Sequence, residues 1–164
     1  MKNLFKMFKL LAIIAFVLPA VFARTPVRQC DGGHPLPTAV FFGRDRFSPC
    51  LEAPCQISRA GGAGVTHVDF TANFASVSIM PRVRARIFGT TTITQVLPAE
   101  ITNNPCGILT LGTCPLVAGD TLSYTLELPV DPATPLIPAD TEITLFGDNN
   151  EVIFCYQLAT NLVA

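Results

Sequence analysis

Residues 122–130 alternate without a break. Leu122, Tyr124, Leu126, Leu128 and Val130 are apolar, and Ser123, Thr125 and Glu127 stand between them. A repeat of two is the side-chain period of a strand with one buried face; wound into a helix, the same residues would scatter around the circumference. At roughly 3.3 Å per residue the run covers about 30 Å, enough to cross a small domain. Pro129, followed by Pro132 and Pro135, has no N–H to give to a central ladder, so the far end of the strand is expected on an edge or beyond the sheet. A strand of this length lined by Leu, Tyr and Val is either half of a core or one wall of an apolar cavity.

The same period recurs along the chain. Residues 65–74 put Thr66, Val68, Phe70, Ala72 and Phe74 on one face and His67, Asp69, Thr71 and Asn73 on the other. Residues 82–88 alternate Val83, Ala85 and Ile87 with Arg82, Arg84 and Arg86. Residues 38–42 and 90–97 are short β-rich runs, and residues 142–146 and 152–158 flank the Gly147-Asp148-Asn149-Asn150 turn of a hairpin. No helical period longer than a turn appears. Some seven strands with turn signals about every ten residues predict an all-β fold, an immunoglobulin-like antiparallel β-sandwich. The chain has no Trp to pack on an inter-sheet bridge, so it is not a true immunoglobulin domain.

The first residues read differently. Lys2, Lys6 and Lys9 precede an apolar run over residues 10–18, and small residues lead to Ala23 with Val21 two positions before it. That order is a secretory signal, and the run is too short to span a bilayer. Cleavage after Ala23 takes 23 of the 164 residues and leaves 141, a single domain over residues 24–164. It also removes the three lysines from the eleven basic residues. Eight arginines then face twelve acidic residues, a net charge of about −4 that argues against a nucleic-acid partner.

All six cysteines lie after Ala23, an even number in a chain bound for an oxidising compartment, and a disulfide framework is expected. Spacing alone leaves fifteen pairings open. A local bridge between Cys50 and Cys55 around Pro54 is easy to draw, and Cys30 is expected to reach something distant. No CxxC pair occurs, and His34 and His67 are not spaced as ligands, so neither a metal nor another cofactor is expected. Neither histidine has a Ser, Cys or carboxylate at a catalytic spacing, and no GxSxG or HExxH occurs. The chain is not expected to be an enzyme.

Further residues carry a resemblance. They are Gln29-Cys30, Ser48-Pro49-Cys50, Ala53-Pro54-Cys55, the run Val68-Asp69-Phe70-Thr71-Ala72-Asn73, and Cys106. Cys114-Pro115-Leu116, Ser123-Tyr124, Leu128-Pro129-Val130 and Phe154-Cys155 complete the set. In these the chain, over essentially its whole mature length, resembles the MD-2-related lipid-recognition family and, within it, the Niemann-Pick type C2-like proteins. The resemblance implies disulfides Cys30–Cys155, Cys50–Cys55 and Cys106–Cys114, and a sandwich that holds a lipid in a cavity between its sheets. It implies three lining landmarks: Val96-Leu97-Pro98, the Leu-Pro-Val run ending in Val130, and Thr134 before Pro135. Leu97 and Thr134 stand where sterol-carrying members have aromatics, so the implied guest is a sterol, a fatty acid or a similar lipid. With the alternating strands added, the expected lining is Val68, Phe70, Val96, Leu97, Leu122, Tyr124, Leu126, Leu128, Val130, Thr134, Ile143 and Leu145.

The resulting expectation is a secreted, monomeric, non-enzymatic lipid-binding and transfer protein. A recognition protein that presents a small apolar or microbial ligand to a receptor is the competing class. Transient membrane or receptor contact is expected of either. Arg82, Arg84 and Arg86 would meet anionic headgroups or form a solvated strand face, and His67 is expected to be exposed. No Asn-x-Ser/Thr sequon is present, which favours extracellular fluid over a lysosomal destination.

Overall fold

The computed structural model describes residues 23–60 and 62–164. The expected signal segment therefore lies, apart from Ala23, outside the described residues. Ten strands are present among them. Seven correspond to the runs read from the sequence: β2 (Ala39–Phe42), β4 (Ala63–Thr71), β5 (Met80–Ile87), β6 (Thr91–Thr94), β8 (Thr121–Pro129), β9 (Pro138–Phe146) and β10 (Val152–Val163). Three short ones are additional: β1 (Arg28–Gln29), β3 (Cys55–Ser58) and β7 (Leu109–Leu111).

The strands form two sheets. One has the order β1-β10-β9-β5-β6, with β3 also on β10, and the other the order β2-β4-β8-β7. All pairings are antiparallel except β3 on β10. The long alternating run is β8. It pairs with β4 from Thr71↔Thr121 to Ala63↔Pro129, which aligns Thr66, Val68 and Phe70 with Leu126, Tyr124 and Leu122 on one inner face. On its other side β8 meets β7 only at Tyr124 and Ser123. The proline-bearing half of β8 is thus a free edge among the described residues, as a residue without an N–H requires. Tight approach to this corner demands Gly112, whose φ is +87° and whose added Cβ would stand 2.4 Å from Leu122 Cδ2.

The three disulfides join Cys30 to Cys155, Cys50 to Cys55 and Cys106 to Cys114, the pairs that the resemblance implies. Cys155 points to the outer face while Phe154 and Tyr156 point inward. A connector from Gln95 to the start of β7 crosses from the edge of one sheet to the edge of the other. It contains a five-residue helix, α1 (Ala99–Asn103), and a 3-10 turn (Pro105–Ile108). Only Ile101 of α1 is buried. No helix among the described residues is long and apolar enough to cross a membrane.

Candidate functional site

The inner faces of the two sheets meet in one apolar cluster. Val68, Phe70, Leu122, Tyr124, Leu126, Ile143 and Leu145, seven of the expected lining residues, are buried together in it. Leu97 and Leu128 lie half-buried against the cluster. The fold does not bring the remaining three to it. Val96 is 85% exposed, Thr134 is exposed on the loop after β8, and Val130 is half-buried at the end of that strand.

Aromatic rings occupy the centre. Phe154 of β10 lies 5.2 Å from Phe70 and 5.9 Å from Tyr124, ring centre to ring centre, and stacks on Tyr124 within 5° of parallel. Tyr156 continues the row at 6.1 Å from Phe154. Phe154 and Tyr156 were visible in the sequence as the neighbours of Cys155, but nothing there set them opposite Tyr124.

Three hydroxyls meet in this apolar layer. Thr66 Oγ1 on β4 and Tyr156 Oη on β10 form a 3.0 Å hydrogen bond from one sheet to the other. Tyr124 Oη is buried beside the Tyr156 hydroxyl. Burial pushes the pKa of both phenols up; the neighbouring Tyr156 hydroxyl raises Tyr124 further, and hydrogen bonding from the hydroxyls of Thr66 and Tyr124 pulls Tyr156 back. Among the described residues no Asp, Glu, Lys, Arg or His is buried. The layer therefore tolerates neutral polar atoms and opposes charge.

A groove of about 720 Å³ runs along the free edge of β8. Thr125, Glu127 and Pro129 of β8 and Ala63 of β4 form one side. Pro98, Ile101 and Ile108 of the connector form the other. Ile101 belongs at the same time to the interlayer cluster, and Ile108 packs on it. These two side chains are thus shared by the surface groove and the apolar interior. Sequence reading missed both because a five-residue helix and a four-residue 3-10 turn carry no legible period.

The outer faces are self-contained. Arg84 pairs with Glu142 at 3.7 Å and Arg86 with Asp31 at 3.6 Å, while the Arg82 guanidinium lies 4.3 Å over the Phe146 ring. Arg28 and Asp140 add a 2.5 Å contact. These arginines are occupied within the protein, which favours the solvated-face reading over a headgroup site. On the other sheet Arg46 pairs with Asp69 and lies 4.8 Å over Phe41. His67 is half-buried rather than exposed, because the loop carrying Arg46 folds over its face and Thr125 Oγ1 bonds its Nδ1 at 2.8 Å. The clustered metal-ligand atoms among the described residues are those of Cys30, Cys155 and Glu142, and the two sulfurs are committed to a disulfide.

The profile of the ML domain matches residues 24–162. This chain belongs to the ML-domain family. The NPC intracellular cholesterol transporter 2 of Sus scrofa is 28% identical over 153 residues, covering 92% of this chain and 95% of that protein. The protein of the same name from Bos taurus is 31% identical over 118 residues, covering 71% of this chain and 74% of that protein. Among solved structures, a Niemann-Pick type C2 protein from the Japanese carpenter ant superposes with a TM-score of 0.66 at 17% identity, over 84% of this chain and 99% of that one. The ML-domain fold accounts for the two sheets.

Proposed function

We propose that this ML-domain protein is a secreted, non-enzymatic carrier that takes one apolar lipid between its sheets and moves it through water. The observation that carries this reading is the double role of Ile101 and Ile108, which wall the groove on one side and touch the interlayer cluster on the other. Displacing α1 by the width of a side chain would join groove and interior. The β4–β8 pair at the centre of its sheet holds nine residues in register, so the connector is the easier place to open. The names of the curated relatives, cholesterol transporters, support a lipid as cargo.

In this mechanism the apolar faces of β4, β8, β9 and β10 replace the membrane as solvent, at about 0.8 kcal/mol per methylene buried. No bond is made or broken. Part of the gain is spent in opening the interlayer, which keeps net affinity low enough for release. Native mass spectrometry of the purified secreted protein, followed by organic extraction, tests the reading directly. A stoichiometric sterol, fatty acid or similar lipid is expected. An empty protein that also fails to take up any of a panel of such lipids from vesicles would overturn it.

A further inference from the structure

We propose that the free edge of β8 is a docking site for an extended, cationic segment of a partner protein, which adds to the sheet as a further strand. The inference goes beyond the carrier reading and stands whether or not a lipid is held. Main-chain direction carries it. Val130 N–H donates to Gly62 O, and β4 and β8 pair even residue with even residue, as in Thr66↔Leu126. The odd residues of β4 face the other way, since Asp69 O and Val65 O accept from the Thr38 and Gly43 N–H groups. The even residues of β8 therefore spend their main-chain groups on β4, and the odd ones turn theirs to the opposite edge. There β7 pairs only with Tyr124 and Ser123. Past it, the Glu127 N–H and C=O and the Pro129 C=O face the groove with no strand beyond them among the described residues. One incoming residue opposite Glu127 would exchange both bonds with it, which is strand addition.

Charge selects the occupant. Glu127 on β8 and Glu100 on α1 line the groove, and no Lys, Arg or His lines it among the described residues. Neither glutamate is in an ion pair among those residues, whereas Asp31, Asp69, Asp140 and Glu142 are each spent on an arginine. A charge on an edge strand discourages indiscriminate pairing. A second copy of this chain laid antiparallel on β8 would bring its own Glu127 against these carboxylates, and an anionic lipid headgroup would be repelled in the same way. A segment bearing Lys or Arg meets opposite charge on both sides. Its apolar residues would lie against Pro98, Ile101, Ile108 and Pro129.

Blocked peptides in which Lys alternates with Val test this on the purified secreted protein. They are compared with the same peptide carrying Glu in place of Lys, and with the lysine peptide N-methylated at alternate amides. Affinities come from fluorescence polarisation, and the place of binding from hydrogen exchange at the Glu127 amide. The lysine peptide is expected to bind about tenfold more tightly than the glutamate peptide, with the advantage shrinking as salt rises. N-methylation removes N–H donors without touching charge and should weaken binding about tenfold. Glu127→Gln and Glu100→Gln, both at exposed positions, should each cost about threefold. Glu127→Arg should turn the preference toward the glutamate peptide. The bound lysine peptide should slow exchange of the Glu127 amide. Equal binding of the two charged peptides, indifference to N-methylation, or binding without protection of that amide would overturn the site. So would a protein that binds neither peptide at millimolar concentration. Phosphatidylserine vesicles that slow the same amide would assign the edge to a membrane and overturn it as well. None of these outcomes bears on lipid uptake, so the carrier reading is tested separately.

Discussion

The two ends of the sandwich are built on different plans. At one end, residues 72–78, 116–120 and 146–151 are laced together across long stretches of chain. Asp148 accepts from the Val77 N–H at 2.5 Å and from Ser78, and its own N–H donates to Ser76 Oγ at 2.8 Å. Ser76 and Leu116 exchange backbone bonds of 3.2 and 2.7 Å, and Ala72 pairs with Asp120 and Gly119. At the other end the connector bonds mainly to itself. Ile101 and Thr102 donate to Pro98 O, Asn104 to Glu100 O and Gly107 to Asn104 O, and α1 has no side-chain cap at its N-terminus. Bonds between residues some 70 positions apart break only when the fold breaks. Bonds within five residues can break locally. On the proposed carrier reading, the first end would be a fixed seam and the second a door.

The largest expected contrast comes from truncating one apolar side chain at each end. Leu116 is fully buried in the laced end, and Leu116→Ala should cost about 3 kcal/mol of stability in urea titration. Ile101 is slightly more exposed and backed by a groove, so Ile101→Ala should cost about 2 kcal/mol or less. Lipid exchange should order them the other way. Ile101→Ala is expected to speed transfer between vesicles several-fold, and Leu116→Ala to leave it near wild type. Equal effects on exchange would erase the distinction between the ends. Native-state hydrogen exchange gives the same comparison without a mutation: the amides of Ala72, Ser76 and Leu116 should open only with global unfolding, and those of residues 101–104 far sooner.

A smaller effect is expected from overfilling the laced end. Gly147 has an ordinary backbone, and a Cβ there would stand 2.6 Å from Ser76 Oγ and 2.7 Å from the Phe74 ring. Gly147→Ala should therefore cost about 1–3 kcal/mol through displacement of both, read as a lower midpoint of denaturation. Lipid exchange should again be unmoved.

How much of this was legible in the chain depended on whether a residue's partner was local. The alternation of residues 122–130 gave β8 with its buried face, and the same period placed β4 and β5. β1, β3 and β7 have two to four residues each and no room for a period, so they became strands only through their partners on β10 and β8. Arg82, Arg84 and Arg86 were correctly set on one face, but Glu142, Asp31 and the Phe146 ring that occupy them are supplied by other segments. The buried cluster was readable because an apolar face has to go inside. The groove was not: Gly62, Ile101 and Pro129 meet only after the connector has crossed between sheets. Val96 shows the same limit from the other side, since its neighbour Leu97 turns inward and leaves it in solvent.

The smallest effect distinguishes the ends by pH. The Val77 N–H, helped by Ser76 and Ser78 and opposed by slight desolvation, holds the Asp148 carboxyl below the usual carboxylate range. A group whose pKa is lower in the folded than in the unfolded chain binds fewer protons when folded. Its contribution to stability is therefore present above the unfolded value near 4, and is lost as pH falls through the folded value. Asp148→Asn keeps the shape and one acceptor but does not titrate, so the acid limb of its stability profile should be shallower than that of the wild type below about pH 4. At pH 7 the variant should be modestly less stable because a charged acceptor has become a neutral one. The connector takes no part in this bond, so lipid exchange at pH 5 and pH 7 should differ no more in Asp148→Asn than in the wild type. A variant that released lipid faster on acidification would mean that the laced end moves when cargo leaves, and the seam and the door would have to trade places.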